Sequence, residues 1–246
     1  MSKKYYISKE VFISYNEHKS KKILPTIVFL HGLNSSKAST KAQYLENFCK
    51  ESDIPFIAFD ALGHGESSEK FTDQSVDSWL TSAEIFLKDT CRNGSILVGS
   101  SMGGWISILI AMRNPDFVKK LVCVAPAPDF TEEMLEGFSK TQKASLAKNE
   151  ITLLEIGHYI YHISPTLIQE SKKHLLMHKN KIEITCPVDI LHGMKDTEVS
   201  YKKSIELVNK LSSNNVKLTL VKNGTHSLSS ETDLAMLSES IKISGS

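Results

Sequence analysis

Short apolar runs alternate along this chain with longer segments in which apolar residues recur at helical spacing. Residues 26–30, 95–98 and 120–125 are largely apolar runs of strand length, a pattern typical of strands that are buried on both faces of a sheet. Residues 75–90 instead carry apolar side chains every three or four positions, which predicts a helix with one buried face. Because such strands and helices alternate, the pattern predicts an α/β fold with a mostly parallel sheet and helices on both faces.

The alternation stops once, between about residue 129 and about residue 185. Here the sequence predicts helical stretches with many polar residues, such as 132–137 and 166–178. A strand follows at 187–192, so the interrupted segment lies between two strands of the same sheet. We therefore predict one α/β domain over residues 1–246, with a helical cap inserted at about 129–185.

Composition and charge narrow the class of protein. The chain has 246 residues, of which 41% are hydrophobic and 23% charged, with a net charge of +1. These values are ordinary for a soluble globular protein and lack the basic excess typical of nucleic-acid binding. The N-terminal residues lead into no long apolar segment, so we expect no signal peptide and no membrane span. Four widely spaced cysteines predict reduced, mostly buried thiols, and together these features predict a cytoplasmic protein.

One motif lies between a predicted strand and a predicted helix. Residues Gly99 to Gly103 match Gly-x-Ser-x-Gly, and in this context the motif is typical of a nucleophile on a sharp strand-to-helix turn. Ser101 has glycine at both second-neighbour positions, whereas Ser100 does not. The start of a helix favours negative charge, so the N–H of Met102 is predicted to receive an oxyanion. An ordinary Gly/Ser turn is the alternative interpretation, because so short a pattern also occurs by chance.

A nucleophilic serine needs a histidine base and a carboxylate that orients the histidine. Asp196 lies in the loop after the strand at 187–192, and His226 lies in the loop after a predicted edge strand at 216–221. With Ser101 they follow the chain order serine, acid, histidine, which one large class of serine enzymes uses. These three residues are therefore predicted to be catalytic.

Two questions about this constellation stay open at the level of sequence. Asp196 could instead serve as a turn or helix N-cap residue, which is the most frequent use of a loop aspartate. Asp129 also competes for the acid role, because it follows the strand after the serine motif. The second oxyanion donor should come from the loop after the first central strand, and the backbone N–H of Leu33 is the predicted one.

The remaining histidines suggest neither a metal site nor a cofactor. Two pairs have the spacing of metal ligands on a helix: His158 with His162, and His174 with His178. No acidic partner pattern accompanies either pair, so we expect no metal, and His174 and His178 are predicted to lie at the surface. His31 and His192 precede glycines at strand ends and are predicted to form hydrogen bonds with loop backbone.

Five segments in this order resemble the α/β-hydrolase superfamily: Leu30–Gly32, Asp60–Ser67, Gly99–Trp105, Leu191–Asp196 and Gly224–His226. Within it, residues 171–176 and 186–196 are similar to the small serine hydrolases of the mitochondrial acyl-glucuronide esterase and palmitoyl-protein thioesterase group and their bacterial relatives. The resemblance implies the α/β-hydrolase fold with Ser101 as nucleophile, Asp196 as acid and His226 as base.

The resemblance also implies an activity, the hydrolysis of acyl esters or thioesters, including S-palmitoyl cysteine. The expected partners are therefore small-molecule or lipidated-protein acyl substrates, with no nucleic acid and no cofactor. Apolar residues of the cap are candidates for lining an acyl channel: Leu153, Leu154, Ile156, Tyr159, Ile160 and Tyr161. An aminopeptidase, a carbon–carbon bond hydrolase and a non-catalytic ligand-binding protein on the same scaffold remain alternatives.

Overall fold

The computed structural model describes residues 2–156 and 159–242. Ten strands lie in these two ranges: β1 (Lys3–Tyr6), β2 (Phe12–His18), β3 (Thr26–Leu30), β4 (Phe56–Phe59), β5 (Ser95–Ser100), β6 (Val118–Val124), β7 (Thr152–Ile156), β8 (Tyr159–Ile163), β9 (Val188–Gly193) and β10 (Val216–Val221). Eight of them form one sheet in the order β1-β2-β4-β3-β5-β6-β9-β10, while β7 and β8 form a separate hairpin.

Eight α-helices lie in the same ranges: α1 (Thr40–Glu51), α2 (Val76–Thr90), α3 (Met102–Arg113), α4 (Phe130–Gly137), α5 (Lys140–Ala147), α6 (Pro165–Ser171), α7 (Tyr201–Lys210) and α8 (Glu231–Ser240). Serine side chains mark several of the helix starts. Ser75, Ser164 and Ser230 each accept a hydrogen bond from the backbone N–H three residues further on, which satisfies a donor that the helix itself cannot pair. Within the described ranges, no helix is both long and apolar enough to cross a membrane.

The main sheet is parallel over six neighbouring strands. From β4 through β3, β5, β6 and β9 to β10 every pairing is parallel, and antiparallel pairing is confined to β1 with β2 and β2 with β4. The mostly parallel α/β fold predicted from the sequence is confirmed. The carboxyl ends of β3, β5, β9 and β10 meet at one edge of the sheet, where open α/β sheets bind their ligands.

Helices cover both faces of this sheet. On one face α2 and α3 bury Trp79, Phe86 and Trp105 almost completely. On the other face α1 and α8 contact each other and bury Leu45 and Leu237. Aromatic and branched side chains of this size supply most of the buried apolar area, so the two layers hold the sheet rigidly beneath its loops.

The segment at residues 129–185, called the insertion below, contains α4, α5, α6 and the β7–β8 hairpin. Its prediction as a helical cap was incomplete, because β-branched and aromatic residues at alternate positions favour strands here. Leu154 and Tyr161 lie directly opposite each other on one face of the hairpin. Leu153 and Ile160 lie on the other face, where they are 52% and 58% exposed.

Candidate active site

Ser101 occupies the tight turn between β5 and α3. Its backbone has φ 54° and ψ −116°, a conformation that is strained for a residue with a side chain. The turn also brings neighbouring backbones very close together. A Cβ atom on Gly103 would overlap the carbonyl oxygen of Leu30, and one on Gly99 would overlap that of Gly103. Glycine is therefore required at both positions, and the motif is a genuine strand–turn–helix rather than an ordinary surface turn.

The loops after β9 and β10 bring Asp196 and His226 into contact. Here too, two backbones meet at glycines, since a Cβ atom on Gly193 would overlap the carbonyl of Gly224. The N–H of Lys195 also donates to that carbonyl at 2.9 Å. As a result, Asp196 Oδ2 lies 2.7 Å from Nδ1 of His226, although 30 residues separate them in sequence.

The Asp196 carboxylate is fully buried and has two functions. Its Oδ1 accepts hydrogen bonds of 2.8 Å from the backbone N–H groups of Glu198 and Val199, so it does shape a turn. Its Oδ2 faces His226, as the acid of a triad requires. Asp196 can therefore serve both as a turn residue and as the acid that contacts His226, the two interpretations that the sequence left open.

The surroundings of Asp196 keep it ionised. Burial by itself would raise the pKa of this carboxyl, but hydrogen bonds from His192, from His226 and from the N–H of Val199 hold it well below its usual value. The contact with His192 was not predicted, because only loop backbone was expected as its partner. His192 does bind the Val199 carbonyl at 3.0 Å, but its Nε2 also lies 3.1 Å from Asp196 Oδ2. The motif His-Gly-x-x-Asp was the available signal.

Asp129, the other candidate for the acid, forms its hydrogen bonds away from His226. Its carboxylate accepts hydrogen bonds of 2.7–3.0 Å from the backbone N–H groups of Leu176 and Met177. Burial raises its pKa, and these two N–H groups oppose the rise. Asp129 does not line the cavity that contains Ser101. Its hydrogen bonds instead connect the start of the insertion to residues 176–177 in the later part of the insertion.

Two backbone N–H groups are available beside Ser101. Neither the N–H of Leu33 nor that of Met102 donates a hydrogen bond to another described residue, and both residues line the same cavity as Ser101. Free N–H groups next to a nucleophile are suited to binding an oxyanion. No hydrogen bond joins Ser101 to His226 within the described ranges; such bonds are often longer before substrate binds.

The cavity above Ser101 has a volume of about 400 Å³, within the range of small-molecule sites. Its lining includes both apolar and polar residues. The apolar side chains include Ala127, Phe130, Met134, Leu154, Tyr161 and Val199, and the polar ones include Ser35, Ser39, Lys41, Glu133, Glu198 and Ser227.

The insertion residues predicted to line an acyl channel divide by the face of the hairpin. Leu154 and Tyr161 do line the cavity, but the prediction was wrong for Leu153 and Ile160, because successive side chains of a strand point to opposite faces. The side chains of Ile156 and Tyr159 lie outside the described part of the chain. Phe130 and Met134, one helical turn apart on α4, were missed.

The two histidines predicted to lie at the surface, His174 and His178, differ in burial. His174 was predicted at the surface, but it is buried and its Nε2 lies 2.7 Å from Asp77; its carbonyl also accepts from the indole of Trp105. His178 is exposed. No group of three or more metal-ligating side chains occurs among the described residues; His158 lies outside them.

Comparison with known proteins places the chain in a family. The model of the family described as serine aminopeptidase, S33, matches residues 21–158. The mouse protein named palmitoyl-protein thioesterase ABHD10, mitochondrial, is 33% identical over 228 residues, which cover 92% of this chain and 76% of the mouse protein. The human protein of the same name is 30% identical over 230 residues, covering 92% and 74%.

Solved structures agree with this placement. A hydrolase from Agrobacterium vitis S4 superimposes with a TM-score of 0.90 at 29% identity, over 98% of this chain and 96% of that one. Alpha/beta hydrolase domain-containing protein 10 from mouse superimposes with a TM-score of 0.87 at 29% identity, over 96% and 95%. The chain is therefore a member of the serine aminopeptidase, S33, family within the α/β-hydrolase superfamily, and it is a hydrolase of the ester and thioester type.

Proposed function

We propose that this protein hydrolyses acyl thioesters and esters through an acyl-enzyme on Ser101. The contact that carries the proposal is the 2.7 Å approach of the buried, ionised Asp196 to His226 Nδ1. It is supported by the strained turn at Ser101 and by the free N–H groups of Leu33 and Met102 in the same cavity.

In the first half of the reaction, Ser101 Oγ attacks the acyl carbonyl carbon while His226 Nε2 takes the hydroxyl proton. Asp196 accepts from His226 Nδ1–H and balances the charge of the imidazolium that forms. The carbonyl oxygen becomes an oxyanion, and the N–H groups of Leu33 and Met102 receive it. When the carbon–sulfur or carbon–oxygen bond breaks, His226 returns the proton to the departing thiol or alcohol, leaving an acyl ester on Ser101.

In the second half, water replaces the leaving group. His226 removes a proton from the water as its oxygen attacks the acyl-enzyme, and the same two N–H groups stabilise the second oxyanion. Collapse breaks the bond to Ser101, whose oxygen recovers its proton from His226. The products are a carboxylic acid and a thiol or alcohol, and the protein returns to its starting protonation state.

The apolar side chains of the cavity favour a substrate with a hydrocarbon acyl chain. Phe130, Met134 and Leu154 present carbon and sulfur atoms to the space above Ser101, and relatives over most of the chain are named palmitoyl-protein thioesterases. We therefore propose long-chain acyl thioesters, including S-palmitoyl cysteine of proteins, as the substrate class. The cytoplasmic location stays a prediction; those relatives are named mitochondrial.

The test compares kcat/KM for a short-chain ester, a long-chain ester and a palmitoyl thioester, with Ser101→Ala as the matched variant. We expect the long-chain thioester to have the largest kcat/KM and Ser101→Ala to lose more than about 10³-fold in kcat. A fluorophosphonate probe should label the wild-type protein and not the variant. Turnover by a folded Ser101→Ala protein would refute the acyl-enzyme, and turnover of short esters alone would refute the substrate class.

An aminopeptidase is the second candidate, because the family description names that activity. One feature of the cavity favours it. Glu198 lies on the cavity wall with a carboxylate oxygen 3.9 Å from Nε2 of His226, where it could bind the ammonium group of an aminoacyl substrate. Cleavage of aminoacyl p-nitroanilides that Glu198→Gln abolishes would support this activity, whereas its absence in a protein active on esters would exclude it.

A further inference from the structure

His192 and Ser204 are two buried polar residues behind the proposed acid. His192 lies at the end of β9 and Ser204 lies on α7, and both are completely inaccessible to solvent. Nδ1 of His192 is 2.6 Å from Ser204 Oγ. Its Nε2 is 3.1 Å from Asp196 Oδ2 and 3.0 Å from the carbonyl oxygen of Val199. Both ring nitrogens are therefore fully engaged inside the protein.

The partners of His192 determine where its hydrogen lies. Nε2 faces a carboxylate oxygen and a carbonyl oxygen, and neither can donate while Asp196 is ionised. Nε2 must therefore carry the N–H. In the neutral form of the ring, Nδ1 then presents a lone pair, and the hydroxyl of Ser204 donates to it. The Asp196 carboxylate and the Val199 carbonyl thus select the Nε2–H tautomer. The Ser204 hydroxyl satisfies Nδ1 and holds the ring in place behind Asp196.

With Nε2–H of His192 as a donor, both oxygens of the Asp196 carboxylate accept two hydrogen bonds. Oδ1 accepts from the N–H groups of Glu198 and Val199, while Oδ2 accepts from Nε2–H of His192 and Nδ1–H of His226. Two donors on each oxygen fix the plane of the carboxylate. Because His226 is bound through Oδ2, that plane sets the direction of its ring.

We propose that His192, with its ring held in place by Ser204, is a positioning residue that orients Asp196 and through it the base His226. The inference rests on the proposed function of the triad. In its neutral form an imidazole suits this place, because it directs the carboxylate without cancelling the charge that the His226 imidazolium needs. A lysine or arginine there would compete with His226 for that charge.

The test measures kcat, KM and the pH profile of kcat/KM for His192→Leu and His192→Gln. Leucine removes the donor at similar size, whereas glutamine can place an amide N–H near Nε2. We expect His192→Leu to lower kcat about 10–100-fold with little change in KM, as for the loss of a hydrogen bond to a charged group. The acid limb of its pH profile should move to higher pH, because Asp196 then interacts more strongly with the His226 imidazolium. His192→Gln should recover most of kcat.

Ser204→Ala tests separately whether Ser204 holds the His192 ring. It should lower kcat about 3–10-fold in the wild-type background and have almost no effect in the His192→Gln background, since glutamine has no ring nitrogen for Ser204 to hold. Ser240→Ala is the matched control, because Ser240 is also buried on a helix but bonds to a carbonyl of its own helix α8. Equal effects of Ser204→Ala in both backgrounds would refute the role of Ser204 in holding the His192 ring.

The outcomes separate this inference from the proposed function. If Ser101→Ala retains activity, the proposed function is refuted, and the positioning role of His192 is refuted with it. If Ser101→Ala is inactive but His192→Leu keeps kcat within twofold, only the positioning role is overturned. If leucine and glutamine at this position lower kcat equally, without moving the acid limb, His192 is merely structural and the inference is also overturned. Should His192→Leu not fold, His192→Gln and Ser204→Ala alone and combined decide the question.

Discussion

The two walls of the cavity are built in different ways. One wall comes from loops of the main sheet and carries Ser101, His226 and the free N–H groups of Leu33 and Met102. The other comes from the insertion, where α4 and the β7–β8 hairpin contribute apolar side chains such as Leu154. The sheet wall places backbone atoms and charges, whereas the insertion wall is mainly apolar, although Glu133 of α4 also lines it.

We expect this difference to separate the proposed reaction from the choice of substrate. On the sheet wall the geometry depends on backbones that meet at glycines and on a carboxylate with four donors, so small changes disturb the chemistry. On the insertion wall one apolar side chain can replace another at a cost in fit only. The first wall should therefore tolerate few substitutions, and the second should tolerate many while altering the acyl chain that is preferred.

The largest contrast is between two aspartates. Asp196→Asn keeps the oxygen that accepts from Glu198 and Val199 but loses the carboxylate that holds His226, so kcat should fall about 10⁴-fold without unfolding. Asp129→Asn, at the start of the insertion, should reduce the free energy of unfolding and leave kcat within about threefold. Steady-state kinetics and urea unfolding of both variants measure this, and a reversed pattern would make Asp129 the acid.

Two glycines provide a contrast in stability. A Cβ atom on Gly103 would overlap the Leu30 carbonyl, whereas one on Gly137 in α4 meets nothing within 4 Å. Gly103→Ala should cost more than about 3 kcal/mol in the free energy of unfolding, and Gly137→Ala should add about 0.4–1 kcal/mol. Chemical denaturation measures both. A folded, active Gly103→Ala protein would contradict the tight strand–helix approach at Ser101.

Lys41, which lines the cavity, is expected to make the stability of the protein depend on pH. Burial lowers its pKa to about 8, against which Asp233 acts weakly, and no carboxylate forms an ion pair with it among the described residues. Its ammonium group donates to the Ser227 carbonyl. Between pH 8 and 10.5 the unfolded chain retains a proton that the folded protein has released, so this residue makes stability rise with pH.

Lys41→Met should remove that rise. The free energy of unfolding of the wild type minus that of Lys41→Met should increase by about 1–2 kcal/mol between pH 7 and pH 9.5. Lys50→Met, an exposed lysine on the same helix α1, is the control and should leave the pH dependence unchanged. Urea unfolding at the two pH values measures the difference. If this difference in the free energy of unfolding stays the same or falls, burial does not lower the pKa of Lys41.

The smallest expected effect contrasts the two faces of the hairpin. Leu154→Ala removes apolar contact from the cavity, so kcat/KM for a long-chain thioester should fall about 10-fold, while that for a short-chain ester should stay within twofold. Leu153→Ala, next in sequence but on the exposed face, should leave both values within twofold. Equal losses from both variants would mean that the acyl chain does not lie along the inner face of β7.

Much of the sheet wall could be predicted because its signals are local. A glycine on each side of Ser101, within an apolar strand and helix, indicates the turn without knowledge of any contact, since the geometry of that turn demands small residues. The order of Ser101, Asp196 and His226 after predicted strands could likewise be recognised. The choice between Asp196 and Asp129 could not, because both follow a strand and both suit a turn.

The insertion was less predictable because its pattern is ambiguous over short lengths. Residues 152–156 and 159–163 are short apolar runs that the sequence alone does not assign clearly to strand or helix. The hairpin that they form decides that Leu154 faces the cavity and that Leu153 does not. The surface prediction for His174 was wrong for a related reason. A histidine that follows two lysines resembles a surface residue in sequence, and only the folded chain brings Asp77 and Trp105 into contact with it.

By itself, the sequence determined the alternation of buried strands and amphipathic helices, the turn at Ser101 and the edge of the sheet where the polar residues gather. These depend on periodicity and on backbone sterics, which act over a few neighbouring residues. Only the tertiary structure decided that Asp196 contacts His226, that His192 and Ser204 lie behind it, and which face of the hairpin lines the cavity. Those contacts join loops and helices distant along the chain, and their distances depend on how whole layers pack.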